Sequence, residues 1–380
     1  MKNKIIFTIK ETGHNLEYLH HIYEQCAIHP DCTYIFLVPE KIKSLLYNFK
    51  WSKCGNIRFD FISAKTQDYC LSHNKIANAF NISLLLRKKI KEHKAEEVFA
   101  ITIMALMPFS GLLVPAKLSG IIYGIYLYNW KTMSLMGKIV SILKYKYLSL
   151  NHRYKDLFIL NDESGALYLN RKYSTHKFVY LPDPFVKIDT RCAFDFRKEN
   201  NIPNEAFVFL HFGAIERRKG TLSILSSIKH LPENLKNSCY FVFAGKIKND
   251  IREEFYALVE STNNKKVLIF DEFCSYSSLA SMCMACDAIL MPYLEVDKSS
   301  GLLGYASQFS KPVIGSSTGM IGKLIRKYKL GVKCNPQDPI DLIRCYNEVI
   351  MKRITEPSNM YCNSHSLHHF KSVLEYNLKG

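Results

Sequence analysis

Two cationic turns in the second half of the sequence have the chemistry of a phosphate site. Arginine can donate two parallel hydrogen bonds to phosphate oxygens, and lysine adds a compact positive charge. A glycine beside such cations lets the backbone approach a ligand closely. A solvated basic turn has the same local composition, so neither turn decides the matter alone. The first turn contains Gly213, Arg217, Arg218 and Lys219, and the second contains Gly245 and Lys246.

The stretch SSGLLGYASQ, which begins at Ser299, leads small residues into an apolar run with helical spacing. If a helix starts here, the backbone amides of its first turn point outward and can bind an anion together with the helix dipole. An ordinary capped helix would have the same local sequence. The amides that would bind the anion belong to Ser299, Ser300, Gly301 and Leu302.

Two further pairs of residues suit a nucleotide base and an acceptor. Asp271 and Phe273 follow the apolar run 267–270 and could provide a polar edge and an aromatic face for a base. A helix-capping role is equally compatible with the carboxylate. Gly13 and His14 follow the first apolar run, where glycine permits close approach and histidine can form hydrogen bonds. Plain polar surface is the other interpretation of His14.

The elements that must position these residues alternate between apolar strands and amphipathic helices in both halves of the chain. Nearly continuous apolar strands separated by helices indicate a parallel sheet covered on both faces. The sequence therefore predicts an α/β fold of two doubly wound Rossmann-like domains, with ligands at the carboxyl ends of the strands and in a cleft between the domains. The strands predicted for the first half are Lys4–Ile9, Thr33–Val38, Asn56–Ile62, Val98–Ala105, Gly120–Tyr126, Asp156–Leu160 and Phe178–Leu181.

The stretch LPDPF, residues 181–185, places two prolines at a strand exit and is followed by the charged stretch 191–200. Proline ends regular structure, so this is the predicted domain boundary. The N-terminal domain is expected over residues 1–186 and the C-terminal domain over residues 187–355.

Residues 205 to about 350 resemble the nucleotide-sugar-binding domain of the retaining family 4 glycosyltransferases, which have the GT-B architecture. The stretches FGAIERRKG, FVFAGK, DAILMPY, SSGLLGYASQFSKPVIGSSTGMIGKLI and YKLGV occur in the family's order. The resemblance implies that the N-terminal Rossmann-like domain binds the acceptor and faces the nucleotide-sugar domain across a cleft. It also implies that a helix in residues 356–380 crosses back to the N-terminal domain.

The resemblance assigns roles to the phosphate-binding residues. Arg218 and Lys219, with the amides of Ser300 and Gly301, match the positions that hold the donor diphosphate in the family. The arginine that commonly follows the first glycine is replaced by Ala214. Arg217 or Arg218 must therefore compensate for it.

The sugar and ribose positions depart from the family pattern. The first of two acidic positions is Asp297, which can accept hydrogen bonds from sugar hydroxyls and is predicted, with His14, to be catalytic. Glu295 is a nearby substitute. The second acidic position, a ribose-binding glutamate in the family, is Tyr305, which offers one hydroxyl.

Transfer from a nucleotide sugar places negative charge on the departing diphosphate, and cations with helix amides can stabilise it. The sequence contains no Asp-x-Asp motif, which commonly binds a metal for this purpose. We therefore predict that the reaction needs no metal or other cofactor. Retention of the anomeric configuration is implied by the resemblance only.

The overall charge indicates an anionic partner. The chain has 51 Lys and Arg against 34 Asp and Glu, a net charge of +17. Residues 129–155 combine six cations with Trp130 and apolar residues, which is typical of a segment on an anionic bilayer. A core helix with a solvated lysine face is an equally good interpretation. If the segment binds a membrane, a polyprenyl-linked saccharide is the expected acceptor.

Two features bear on localisation. Residues 98–116 contain no charge, but Pro108, Gly111 and Pro115 interrupt them, so a buried strand and a membrane-facing loop are expected in place of a membrane span. The twelve cysteines are scattered, and the pair Cys283 and Cys286 lies in an apolar helical run. These thiols are expected to be buried in a protein of the reducing cytoplasm, without a metal.

The leading hypothesis is a cytoplasmic glycosyltransferase, peripheral on the inner face of the cell membrane. It would move a sugar from a UDP-, GDP- or dTDP-linked donor to a glycan or lipid-linked saccharide in surface polysaccharide or glycolipid synthesis. A nucleotide-sugar epimerase or hydrolase of the same architecture is one alternative. A non-catalytic anion-binding protein is another, although no known nucleic-acid module occurs in the sequence.

Overall fold

The computed structural model describes residues 2–11, 14–46, 51, 54–352, 357 and 359–379. Within them the chain divides into two units. The first unit comprises Met1–Asp183 and Leu367–Gly380, and the second comprises Pro184–Ser366. Both units contain a parallel β-sheet with helices, as the alternating sequence pattern predicts.

The described part of the first unit contains a seven-stranded sheet of order β3-β2-β1-β4-β5-β6-β7, with every pairing parallel. Its strands are β1 Lys2–Phe7, β2 Cys32–Pro39, β3 Ile57–Ile62, β4 Glu97–Ala100, β5 Lys117–Ile122, β6 Tyr154–Leu160 and β7 Phe178–Leu181. Its helices are α1 His14–Ala27, α2 Ile42–Leu46, α3 Ala64–Leu71, α4 Lys75–His93, α5 Ser110–Leu113, α6 Leu135–Leu150, α7 Glu163–Tyr173 and the C-terminal helix Leu367–Leu378.

The second unit contains a six-stranded sheet of order β10-β9-β8-β11-β12-β13 in its described part, again with every pairing parallel. Its strands are β8 Phe207–Phe212, β9 Cys239–Ala244, β10 Val267–Phe270, β11 Ala288–Met291, β12 Val313–Ser316 and β13 Gly331–Cys334. Its helices are α8 Phe196–Glu199, α9 Thr221–Lys229, α10 Glu233–Ser238, α11 Arg252–Thr262, α12 Tyr276–Ala285, α13 Leu302–Gln308, α14 Gly319–Tyr328, α15 Pro339–Ile350 and α16 Met360–Ser364.

The uncharged segment 98–116 folds differently from the expected long strand. Strand β4 ends at Ala100 and not at Ala105, because a 3₁₀ turn over Ile103–Leu106 and the short helix α5 follow it. Most of the segment is buried, whereas the Leu112 side chain is 71% exposed. No helix in the described part of the chain has both the length and the apolarity that a membrane span requires.

The change of unit occurs between Asp183 and Pro184, three residues before the predicted boundary. Asp183 is held in the first unit, where the buried Tyr18 hydroxyl donates to its Oδ1. Phe185 is held in the second unit, where its N–H donates to the His365 carbonyl oxygen at 2.7 Å. Side-chain and backbone hydrogen bonds therefore place the division inside the Pro-Asp-Pro sequence.

The C-terminal helix Leu367–Leu378, α17, belongs to the first unit. Phe370 lies in the apolar core with residues of α1, β1 and β2. The ammonium group of Lys4 on β1 donates to the carbonyl oxygens of residues 377, 378 and 379, at 3.0, 3.2 and 2.6 Å. The second unit extends to Ser366, eleven residues beyond the end predicted for it.

Candidate active site

The carboxyl ends of the strands in the second sheet collect the predicted donor-binding residues on one edge. Gly213 follows β8, Gly245 follows β9 and Asp271 follows β10. Since the strands are parallel, all three positions lie at the same edge of the sheet. Strand β8 lies between β9 and β11, so the cationic turn after it occupies the middle of that edge.

Gly213 and Gly245 are favoured by their backbone conformation, and Gly245 also by close packing at this edge. Both have left-handed backbones, with φ of 84° and 141°. A Cβ at Gly245 would collide with the carbonyl oxygen of Gly213. A Cβ at Gly213 would lie 2.9 Å from Lys219 Nζ and 3.9 Å from Leu302 Cδ1. The basic turn and the start of α13 therefore meet at Gly213, where the absence of a side chain leaves room.

The two arginines of the first turn have carboxylate partners. Arg217 Nη2 lies 2.6 Å from Glu254 Oε2 on α11, and this ion pair raises the pKa of the Arg217 guanidinium. Arg218 forms an ion pair with Glu216, and its Nη1 lies 4.0 Å from Glu295 Oε2. Arg217 is thus paired with the surface of α11, whereas Arg218 lies beside the loop that follows β11.

Lys219 differs from both arginines because it is buried, with 7% of its surface exposed. Its Nζ lies 5.8 Å from the centroid of the Tyr293 ring. Among the described residues, no carboxylate forms an ion pair with this ammonium and no acceptor takes a hydrogen bond from it. The side chain is thus largely enclosed while no carboxylate of the described chain compensates its charge, so this position favours binding of an anion.

The residues after Lys219 hold the turn against the sheet. Gly220 has φ of 72°, and a Cβ there would collide with the Pro292 carbonyl oxygen. The turn is consequently packed on the chain that leaves β11. The Leu294 N–H donates to the Arg218 carbonyl oxygen at 2.8 Å and joins the same two segments.

The Thr221 hydroxyl lies at the start of α9 but does not cap this helix. Gly220 is the N-cap of α9, without a side-chain hydrogen bond. The Thr221 hydroxyl instead lies 3.1 Å from the Glu216 carbonyl oxygen and 2.9 Å from His211 Nε2. The hydroxyl therefore joins the two ends of the basic turn and connects them to β8.

His211 is fully buried on β8, beneath the basic turn. Its Nδ1 lies 3.0 Å from the Leu290 carbonyl oxygen, which can only accept, so Nδ1 carries the proton. Burial, with a smaller contribution from the positive charge of Lys219, lowers the pKa of His211 to about 4. The imidazole is therefore neutral at pH 7.

We expect His211 to make the folded state sensitive to acid. The unfolded histidine binds a proton near pH 6.5, whereas the folded one does so near pH 4. The contribution to stability is complete above pH 6.5 and is lost as the pH falls toward 4, by about 2–3 kcal/mol. Urea unfolding at pH 7 and pH 4.5 measures this loss in the wild type. Asparagine cannot titrate, so the loss of stability between the two pH values should be about 2–3 kcal/mol smaller in His211→Asn than in the wild type.

The matched control is His230→Asn, because His230 is an exposed histidine of the same unit. This variant should keep the pH dependence of the wild type. An equal pH dependence in His211→Asn and the wild type would show that His211 titrates normally in the folded protein.

The stretch 299–302 begins α13 beside Gly213. Ser300 Oγ lies 3.1 Å from the Tyr293 hydroxyl and accepts the Leu302 N–H at 3.4 Å. Within the described residues, the backbone N–H groups of Ser300 and Gly301 donate to no acceptor. Two backbone donors are thus available at the start of α13, which meets Lys219 at Gly213.

The predicted sugar and ribose positions lie on the loop after β11 and on α13. Asp297 is partly exposed and forms no ion pair or hydrogen bond with any described residue. Glu295 is paired with Lys298, at 3.1 Å. The Tyr305 ring packs edge-on against Phe212, with centroids 5.6 Å apart. Tyr305 thus joins α13 to the end of β8, an apolar role that a glutamate at this position could not have.

Asp271 has a structural role at the end of β10. Its Oδ1 accepts the Ile247 N–H at 2.9 Å, and its Oδ2 lies 2.6 Å from Arg252. The Ile247 N–H, with Arg252 and Lys246, holds the pKa of Asp271 below its ordinary value. Lys246 Nζ lies 3.7 Å from the same carboxylate on a largely exposed side chain. Asp271 therefore orders the turn after β9, with its oxygens already engaged.

Phe273 extends into solvent, with 94% of its surface exposed. A cavity of about 350 Å³ lies beside it, near the carboxyl end of β10. The cavity is lined by Phe194, Phe196, Glu199, Asn200, Phe270, Glu272, Phe273, Cys274, Ser275, Ser278 and Met282. Its aromatic walls and its two carboxylates provide both stacking and polar contacts.

Comparison with known proteins finds a family match for the second unit. Residues 193–364 match the family described as glycosyl transferases group 1, and this range covers nearly the whole second unit. The chain carries a group 1 glycosyltransferase domain. The match includes the basic turn, the loop after β11 and α13.

The glycosyltransferase is similar over its whole length to solved structures of the GT-B fold. HepE of Anabaena, solved with UDP and glucose, matches with a TM-score of 0.69 at 12% identity. The match covers 100% of this chain and 99% of the HepE chain. WaaG, a glycosyltransferase involved in lipopolysaccharide biosynthesis, has a TM-score of 0.66 at 16% identity, and the match covers 99% of this chain and 98% of the WaaG chain. A UDP-forming α,α-trehalose-phosphate synthase from Burkholderia vietnamiensis has a TM-score of 0.72 at 8% identity, with 100% and 99% covered. None of the curated sequences compared with the chain matches it significantly.

The predicted acceptor residues of the glycosyltransferase are described only in part. Gly13 lies outside the described residues, and His14 is the first residue of α1. Their assignment to the acceptor side stays a prediction.

One group of three side chains in the described part of the glycosyltransferase could hold a metal ion: Asp60, Glu92 and His93, in the first unit. The ammonium of Lys89 lies 2.7 Å from Asp60 Oδ2, and His93 Nε2 lies 2.6 Å from the same oxygen. The Asp60 carboxylate is therefore already in an ion-pair network.

Sequence reasoning missed two residues of this site, Tyr293 and His211. The MPY sequence at the end of β11 reads as a strand exit, and nothing in it points to Lys219, 74 positions earlier in the chain. His211 stands inside an apolar strand pattern and resembles a core histidine. Their contacts with the basic turn exist only once β8 and β11 pair.

Proposed function

We propose that the glycosyltransferase moves a sugar from a nucleotide-diphosphate sugar to a glycan or lipid-linked saccharide. The donor diphosphate would bind at Gly213, between Lys219 and the free amides of Ser300 and Gly301. The observation that carries this proposal is the largely buried Lys219 side chain, whose ammonium has no counter-charge among the described residues. The UDP bound to HepE supports a nucleotide donor for this chain.

Bond cleavage would place negative charge on the departing diphosphate while the sugar becomes cationic. Fixed donors stabilise such charge effectively because they need no reorganisation during the reaction. Lys219 supplies a positive charge, Arg218 a second cation, and Ser300 and Gly301 supply backbone N–H groups. This set motivates the proposal that transfer needs no metal. Retention of configuration is proposed from the family 4 resemblance.

The remaining predicted residues would bind the other parts of the donor. Lys246 is exposed beside the turn after β9, where it could approach a phosphate or ribose. The Phe273 ring and the cavity beside it suit a planar base. Asp297 has free carboxylate oxygens for sugar hydroxyls. His14, with Gly13, is proposed for the acceptor side.

A donor panel tests the proposed function. The purified protein would be titrated with UDP, GDP and dTDP, and then incubated with the sugars of the nucleotide that binds. Release of the nucleoside diphosphate that depends on a saccharide acceptor and persists in EDTA is the expected result. Release without acceptor would indicate a hydrolase. Failure to bind any of the three would contradict the proposal.

The surface of α6 supports a membrane-associated acceptor. Five apolar side chains spaced along one stripe of α6 are exposed: Leu135 76%, Met136 68%, Ile139 44%, Val140 54% and Leu143 58%. Lys131 and Lys146 are exposed nearby, and residues 129–155 contain no acidic residue. Such a basic, apolar surface matches an anionic bilayer. Location on the inner face of the cell membrane and a role in surface polysaccharide or glycolipid synthesis belong to this proposal, which the lipopolysaccharide role of WaaG supports.

Replacing Ile139 and Leu143 by glutamate should abolish binding to anionic membranes. Each change removes apolar area and adds a charge that the lipid surface repels. Co-sedimentation with phosphatidylglycerol vesicles measures the effect, and we expect at least a tenfold loss of the bound fraction. Ile340→Glu, an exposed apolar residue (64%) of the second unit, is the control and should bind as the wild type does. Wild-type protein that remains in solution would refute the membrane contact.

A further inference from the structure

We infer that Tyr293 is a positioning residue of the donor site, which holds the Lys219 ammonium and the start of α13 in place for the diphosphate. The inference rests on the proposed function and assigns a role to a residue outside the predicted site. Tyr293 follows β11 by two residues, and 3% of its surface is exposed.

The backbone of Tyr293 is held by two neighbouring strands. Its N–H donates to the Met291 carbonyl oxygen at 2.8 Å, and its own carbonyl oxygen accepts the Ser316 hydroxyl at the end of β12. The side chain consequently leaves a rigid part of the sheet edge, between the basic turn and α13.

The ring of Tyr293 stabilises the Lys219 ammonium without neutralising it. The ammonium lies 5.8 Å from the ring centroid, within the range of a cation–π contact. Arg217 and Arg218 have glutamates as partners, and these carboxylates compensate their charges locally. An aromatic face offsets part of the cost of burying a cation but carries no net charge. Lys219 therefore keeps its full positive charge for an anion.

The hydroxyl of Tyr293 acts on the other side of the site. It lies 3.1 Å from Ser300 Oγ, and the same Ser300 oxygen accepts the Leu302 N–H. This pair of hydrogen bonds ties the first turn of α13 to the end of β11. One side chain thus joins the two groups of donors proposed for the diphosphate.

Two substitutions separate the two contacts. Tyr293→Phe keeps the ring and removes the hydroxyl, and Tyr293→Leu removes both. Calorimetric titration with inorganic pyrophosphate, and with whichever of UDP, GDP and dTDP binds the wild type, measures the effect. We expect about threefold weaker binding for Tyr293→Phe and about tenfold weaker binding for Tyr293→Leu.

A matched control lies at the opposite edge of the same sheet. The ring of Tyr240 at the start of β9 lies 5.4 Å from Lys266 Nζ. Tyr240→Leu removes the same kind of contact and should leave ligand affinity unchanged. Thermal unfolding identifies any variant that fails to fold. If Tyr293→Leu is unfolded, the affinity of Tyr293→Phe alone tests the inference.

A double-mutant cycle distinguishes positioning from a general structural effect. If the ring acts through Lys219 and the hydroxyl acts through Ser300, Tyr293→Leu should weaken binding about tenfold in the wild type but only about threefold in a Lys219→Met background. Equal losses in both backgrounds, or wild-type affinity in Tyr293→Leu, would overturn the inference and leave the proposed function intact. A wild-type protein that binds none of these anions would overturn the proposed function itself.

Discussion

Lys219→Met is expected to lower kcat/KM for sugar transfer by about 10²–10³-fold, the range seen when one fixed donor to a developing anion is removed. The same change should leave stability unchanged or raise it, because it replaces a largely buried lysine, whose ammonium has no carboxylate partner in the described chain, by an apolar side chain of similar length. Stability and activity would then move in opposite directions. That combination is typical of a residue kept for function at a cost in stability.

Transfer assays and thermal unfolding on the same preparation check both parts. Lys266→Met is the matched control, since Lys266 also lies over a tyrosine ring, at the amino-terminal edge of the same sheet. It should retain wild-type activity. Full activity in Lys219→Met would remove Lys219 from the donor site.

Lys4→Met is expected to destabilise the first unit by about 3–5 kcal/mol, as does the loss of one partner from a buried charge pair. Lys4 is 3% exposed, and its ammonium lies 3.1 Å from Glu97 Oε2. The same ammonium donates to three carbonyl oxygens at the C-terminus of α17, where a cation also complements the helix dipole. Methionine would leave these acceptors and Glu97 without it.

Urea unfolding measures the change in stability, and hydrogen exchange of residues 367–378 reports whether α17 is released. Lys2→Met is the control on the same strand. Lys2 also pairs with Glu97, at 3.1 Å, but from a side chain that is 36% exposed, so it should contribute less than about 1 kcal/mol. Equal effects of the two substitutions would mean that the helix contacts of Lys4 contribute nothing.

The order of the strands and helices could be predicted from local patterns. Apolar runs such as 207–212 and 239–244 are long enough to be buried strands, and the helices between them have one apolar face. The ends of the elements were less certain, as β4 shows. Residues 98–105 are all uncharged, yet only those up to Ala100 pair with β5. A uniformly apolar segment does not reveal where a strand ends, because a buried 3₁₀ turn has the same composition.

The candidate site could be predicted as a set of residue types but not as a set of partners. Arg217, Arg218 and Lys219 are consecutive cations, and the sequence does not distinguish them. Packing does, because Glu254 on α11 pairs with Arg217 while the ring of Tyr293, just after β11, lies beside Lys219. Asp271 was expected either at a base or in a capping role, and the hydrogen bond and ion pair of its oxygens, which order the turn after β9, exist only in the folded chain.

The sequence alone determined that two units of alternating strands and helices form, and that glycines, cations and small residues follow the strands of the second unit. Those features depend on hydrophobic periodicity and turn chemistry, which act between near neighbours in the chain. Only the tertiary structure decided which cation is buried without a counter-charge and that Tyr293 lies between Lys219 and Ser300. Such contacts join residues on different strands, and their energies depend on burial and distance, which exist only after the sheet has formed.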